Sequence, residues 1–152
     1  MSPATLDAIF ALAHFLAIFM LVGALFGESY LLRLPLRADV IGVLARVDRS
    51  YGVAAGIVIA AGLGRVFLGA VDEGFYFASH AFWGKMACFA ATGIISIFPT
   101  LKILAWRKAS KNDAAFAPPA KEIADTRRLV MIQTVLIGFI ALFAVFMTRA
   151  MG

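Results

Sequence analysis

The sequence predicts an all-α fold: an integral membrane four-helix bundle with both termini on the outer, periplasmic side. Three observations carry this reading. Of the 152 residues, 62% are hydrophobic and only 15% charged; the apolar residues gather in four runs long enough to cross a bilayer; and the Lys and Arg residues gather in two of the connecting loops. A mean hydropathy of +0.92 leaves more apolar side chain than the interior of a single small domain can hide, so lipid must receive the remainder.

The first run, 8–32 (Ala8 to Leu32), reaches roughly 37 Å at 1.5 Å per residue and meets only His14 before Glu28 near its far end. The second, 51–71, carries Arg65 close to its end. The third, 81–101, has Lys85 near its start and Pro99 near its finish, and the fourth, 129–148, has no charge. In lipid a helix satisfies its own backbone groups segment by segment, so each run reads as a transmembrane helix within a single membrane domain, 1–152. No Lys or Arg precedes Arg33. The first run therefore lacks the basic leader of a cleaved signal peptide and is expected to stay in the mature chain.

Charge placement gives the orientation. Loop 33–50 holds Arg33, Arg37, Arg46 and Arg49, and loop 102–128 holds Lys102, Arg107, Lys108, Lys111, Lys121, Arg127 and Arg128, whereas the other side has only Arg149 outside the spans. The excess marks both loops as cytoplasmic in a multi-pass protein of a bacterial inner membrane. The net charge of +5 sits beside the apolar runs, which suits anionic headgroups and argues against nucleic acid. Loop 102–128, with Pro118-Pro119, is expected to be a mobile connector. A single cysteine, Cys88, excludes an intramolecular disulfide, and no C-x-x-C-H, phosphate loop, zinc spacing or Ser-His-Asp arrangement is present.

Gly52, Gly56, Ala60 and Gly64 recur every four residues, a small-residue stripe where a neighbouring helix, or a flat porphyrin, can approach closely. The ionisable residues within the spans are the informative ones, because each is costly in lipid unless paired, hydrated or able to snorkel. His14, Arg65, Lys85 and His80 all fall in the outer layer. His14 suits a metal, as an axial haem ligand, or a hydrogen bond to a neighbouring helix. Lys85 suits a second axial position, a carboxylate-bearing ligand or snorkelling, and Arg65 suits a propionate or an ion pair with Asp72 or Glu73. His80 reads as interfacial or as a further contact to a cofactor. Glu28 shares a helix face with His14 at a separation of roughly 21 Å. It reads as the partner of Arg46 or Arg49, or as a proton acceptor in a cytoplasmic polar cluster completed by Tyr51 and Gln133. Met20, Met86, Met147 and Met151 form no compact copper motif.

The runs "LAHFLAIFMLVGALFGESYLLR", "RVDRSYGVAAGIVIAAGLGRVFLG" and "HAFWGK" resemble a bacterial family of predicted four-helix membrane proteins of unknown function, domain of unknown function 2214, over nearly the whole chain. Its characteristic points here are His14, Glu28, Arg49, Tyr51, Arg65, Trp83 and Lys85. The resemblance implies an integral membrane protein. A more distant similarity reaches the HemJ-type protoporphyrinogen oxidases, small four-helix membrane proteins that bind haem b and use an early histidine on helix one and a lysine on helix three. His14 and Lys85 match these in type and depth, while Glu28 and the order Trp83-Gly84-Lys85 depart from that pattern. The similarity thus implies haem binding rather than the oxidase reaction.

Three function classes follow. The first is a redox protein with one b-type haem in the outer half, with porphyrin or quinone as partner: His14 is the axial ligand, Lys85 the opposing ligand or a propionate partner, and Arg65 a second cation. The second is a small-solute, metal or proton transporter with Glu28 and His14 at opposite ends of a path. The third is a structural or accessory subunit, in a homo-oligomer or a larger membrane complex, with the glycine stripe against its partner.

Overall fold

The computed structural model describes residues 2–69 and 73–149 and is helical throughout its elements. Helix α1 spans Pro3–Leu31, α2 Ala38–Leu68, α3 Glu73–Ala78, α4 His80–Asn112 and α5 Ala120–Arg149. Among the described residues, the four long helices are each long and apolar enough to cross a membrane. Helix α1 starts on an N-cap, with Pro3 in its first turn and the Ser2 hydroxyl accepting from the Thr5 N–H at 3.2 Å. Ser79 caps α4 in the same way, accepting from the Phe82 N–H.

Each of the four long helices starts before the apolar run that predicts it. The segments 33–50 and 102–128, expected as loops, are largely helical, because α2 starts at Ala38, α4 continues to Asn112 and α5 starts at Ala120. The connectors that remain are 32–37 and 113–119. Neither hangs free: Leu32 and Leu36 are buried, and the Asp113 carboxylate accepts from the Ala115 N–H at 2.8 Å, which closes a local turn. The mobile connector expected over 102–128 is thus a short ordered link. The physical reason is a change of environment along α4. Beyond the lipid-facing run it becomes amphipathic, burying Ile103, Trp106 and Ser110 at helical spacing against α5.

Each long helix packs antiparallel against two others, in the ring α1, α2, α4, α5, with the most extensive contacts within the pairs α1–α2 and α4–α5. The α1–α2 register is legible at both ends. Gly64 lies against Phe10, and Gly27 against Val47; the two stretches between these contacts are equally long, so the helices run past each other without slip. Fully buried apolar side chains gather toward the end that holds the connectors 32–37 and 113–119 and the basic helix ends beside them, the basic end, where Leu25, Leu32, Ile41, Leu44, Ile103 and Val130 meet. Leu12, Phe15, Phe19, Phe98, Leu101 and Phe146 point outward, as the lipid-facing surface of such a bundle requires.

The small-residue stripe is not the α1–α2 contact. Gly52, Gly56 and Ala60 are exposed, and a Cβ built on Gly52 or Gly56 would meet nothing within 4 Å. The buried face of α2 is Ile41, Leu44, Ala45, Asp48, Tyr51, Ala54, Val58 and Ala61, so among the described residues the stripe packs closely only at Gly64.

Candidate functional site

The buried faces of the four long helices bring polar side chains together in the basic half of the bundle. On α1 the inward positions are Ala17, Leu21, Ala24, Leu25, Glu28 and Leu32, so Glu28 occupies a place where the helical period calls for an apolar residue. It is 2% exposed, and its Oε1 is the one buried side-chain polar atom without a hydrogen-bond partner among the described residues. Asp48, on the inward face of α2, lies within its electrostatic reach. The Asp48 carboxylate accepts from the Thr100 hydroxyl of α4 at 2.7 Å. Tyr51, one turn further along α2, pairs with Ser96 of α4 and feels both carboxyls. On α5, Gln133 is 1% exposed and donates to its own helix at the Leu129 carbonyl, 3.5 Å away.

Pro99 adds a backbone acceptor to this cluster. Buried inside α4, it carries no N–H, so the carbonyl four residues earlier, that of Ile95, loses its helical donor beside Ser96 and Thr100. The result is a buried interior rich in oxygen, with two carboxyls, two hydroxyl-bearing helices and a released carbonyl. No cation is paired with either carboxyl: among the described residues the side-chain ion pairs are Arg65 with Asp7 and Lys102 with Glu122. Arg46 and Arg49, expected as partners of Glu28, are both exposed on α2, because the face that buries Asp48 turns them outward.

A second polar group lies toward the other end. The His14 Nδ1–H donates to the Val58 carbonyl at 3.0 Å, and the ring edge sits over Gly62, whose missing side chain leaves it room. Lys85 and Arg65 are within electrostatic range of His14 and of each other. The Lys85 ammonium lies 6.0 Å from the Phe82 ring centroid, at the limit of a cation–π contact. Arg65 binds Asp7 of α1 at 3.3 Å; the expected partners Asp72 and the Glu73 side chain lie outside the described residues. Three of the four residues expected to share one layer, His14, Arg65 and Lys85, therefore converge. His80 does not join them: it opens α4 as an exposed residue.

The sequence pointed to Glu28, Tyr51 and Gln133 but missed Asp48, Thr100 and Asp7. Asp48 and Asp7 precede the apolar runs, and hydropathy treats such residues as loop. The inward period that joins Asp48 to Tyr51, Ala54 and Val58 was the signal that identifies it. Met20 and Met86 are exposed. Among the described residues no group of three or more His, Cys, Asp or Glu side chains is placed to hold a metal ion, so a metal at His14 would have to bring most of its own ligands, as a haem iron does.

A family described as predicted membrane protein (DUF2214) matches residues 6–152. No curated protein and no solved structure matches the chain.

Proposed function

We propose, for a chain that belongs to the DUF2214 family of predicted membrane proteins, that it is a membrane proton transporter whose proton-carrying group is the Glu28 carboxyl. The observation that carries this reading is the buried, unpartnered Oε1 of Glu28 beside Asp48. An acidic side chain within a membrane bundle is expensive, and a second one in its field adds repulsion. Such a pair is retained where a proton is taken up and released. Asp48 is held in place by Thr100, so Glu28 is the freer of the two. Tyr51, Ser96 and the Ile95 carbonyl supply the hydrogen-bonding groups through which a water chain would reach it.

Toward the other end, Ala17, Leu21, Ala24 and Leu25 on α1 and Ala54, Val58 and Ala61 on α2 form an apolar stretch. It separates Glu28 from His14, Lys85 and Arg65, so that passage between the two polar groups requires the bundle to move. The Lys and Arg content of 33–50 and 102–128 supports a bacterial inner-membrane setting with both termini outside. In proteoliposomes with an imposed pH gradient and a trapped pH dye, the native chain dissipates the gradient, Glu28→Gln abolishes that flux and Glu28→Asp retains part of it. Equal flux from native protein and Glu28→Gln would rule the reading out.

A second reading, one b-type haem, rests on a separate observation. Donation from Nδ1 to the Val58 carbonyl fixes the His14 tautomer and leaves Nε2 available, the arrangement usual for a metal-bound imidazole. His14 would hold the group through its ring nitrogen, with Lys85 and Arg65 close enough to meet its charged edge, and the group would supply one-electron redox chemistry. A Soret band in the purified protein that is lost in His14→Ala supports this reading; a colourless protein from haem-replete cells opposes it.

A further inference from the structure

At the basic end, α1 and α5 diverge around a groove of about 670 Å³. Its α5 wall follows one helical face through Arg127, Arg128 and Met131, and the opposite wall runs through Phe26 and Ser29 of α1 to Arg33 in the turn beyond it. Three guanidiniums therefore face one cleft. Among the described residues none of them forms an ion pair, and no acidic side chain lines the groove. The neighbouring groove between α4 and α5, about 450 Å³, differs in kind, because it contains Glu122 and Asp125 and neutralises its own Lys102 through a contact of 3.1 Å. Phe26 and Met131 are exposed on the side of the apolar runs, so the α1–α5 groove is cationic at its mouth and offers these two apolar side chains, between Ser29 and Thr134, further along.

We infer that this groove binds the phosphodiester headgroup of an anionic phospholipid, with an acyl chain laid along Phe26 and Met131. A guanidinium fork matches phosphate oxygens in pairs, and three forks around one cleft offer more than a diffuse basic surface does. Basic clefts between membrane helices at the headgroup level are recognised settings for such lipids. The inference is independent of proton transport, since it uses none of the inward-facing polar side chains Glu28, Asp48, Tyr51, Thr100 and Gln133.

The test uses the full-length protein, purified and stripped of lipid, with phosphatidylglycerol, phosphatidylcholine and inorganic phosphate as probes, and native mass spectrometry as the readout. Phosphatidylglycerol is retained and phosphatidylcholine is not. In the Arg127→Gln/Arg128→Gln variant, phosphatidylglycerol affinity falls by about tenfold or more, whereas Lys108→Gln/Lys111→Gln, which removes the same charge from exposed positions of α4, changes it by less than about twofold. Arg33→Gln, on the opposite wall, gives a smaller loss and serves if the double variant does not fold. Equal losses from the arginine and lysine pairs would show a diffuse field and overturn the site, as would undiminished binding in the arginine variants. Displacement of the lipid by millimolar inorganic phosphate would overturn the assignment to a lipid.

Discussion

Asp48 of α2 accepts a hydrogen bond from Thr100 of α4 at 2.7 Å, while Glu28, buried within its field, has no partner for Oε1. The two carboxyls are thus unequal. One is a fixed part of the α2–α4 contact, and the other has a buried Oε1 with no hydrogen-bond partner among the described residues.

That inequality predicts opposite effects on stability. Thr100→Val leaves the Asp48 carboxyl buried without its donor and lowers unfolding stability by about 1–3 kcal/mol. Glu28→Met keeps the volume and removes an unsatisfied polar group, so it raises stability by roughly 1 kcal/mol while abolishing proton flux. Thermal unfolding in detergent, paired with the liposome assay, checks both. A Glu28→Met protein less stable than the native chain would mean that the carboxyl has a partner in solution.

Glycine substitutions test the register of the helix pairs. A Cβ on Gly64 would lie 2.7 Å from the Phe10 ring, and one on Gly84 2.8 Å from Phe143. Gly64→Ala and Gly84→Ala therefore lose about 1–3 kcal/mol through overpacking. Gly52→Ala and Gly56→Ala meet open space and gain up to about 1 kcal/mol in helix propensity. The same unfolding measurement ranks all four, and uniform losses would show that Gly52 and Gly56 are packed in the folded protein.

The link between α4 and α5 has its own pH signature beyond the apolar runs. The Trp106 indole N–H donates to Glu122 at 2.9 Å and Lys102 adds a second contact at 3.1 Å, and together these hold the Glu122 carboxyl below its usual range. A depressed carboxyl contributes stability that is complete above its unfolded value of 4.5 and is lost as pH falls through the folded value. Indole fluorescence from Trp106, compared with Glu122→Gln, is expected to hold constant down to the ordinary carboxylate range and to change only below it. A change centred above 4.5 would contradict the contact.

Much of this arrangement was legible in the sequence. Apolar runs and cation placement predict four long helices, and counting depth along them brings His14, Arg65 and Lys85 to one level. The inward polar cluster was only half legible. Glu28, Tyr51 and Gln133 interrupt or border apolar runs and so stand out, whereas Asp48 precedes a run and is revealed only by the helical period of its buried neighbours. Partner choice was not legible: Asp7 and Arg65 are joined by the antiparallel register, which no local pattern encodes. The stripe from Gly52 to Gly64 shows the converse error, a strong local pattern of which most positions face away from the other helices.

Infrared difference spectroscopy of the reconstituted protein during pH cycling tests the central assignment most directly. The account predicts a carboxyl C=O band that rises and falls with bulk pH and is absent from the Glu28→Gln protein. A difference spectrum that is the same in both proteins would contradict it.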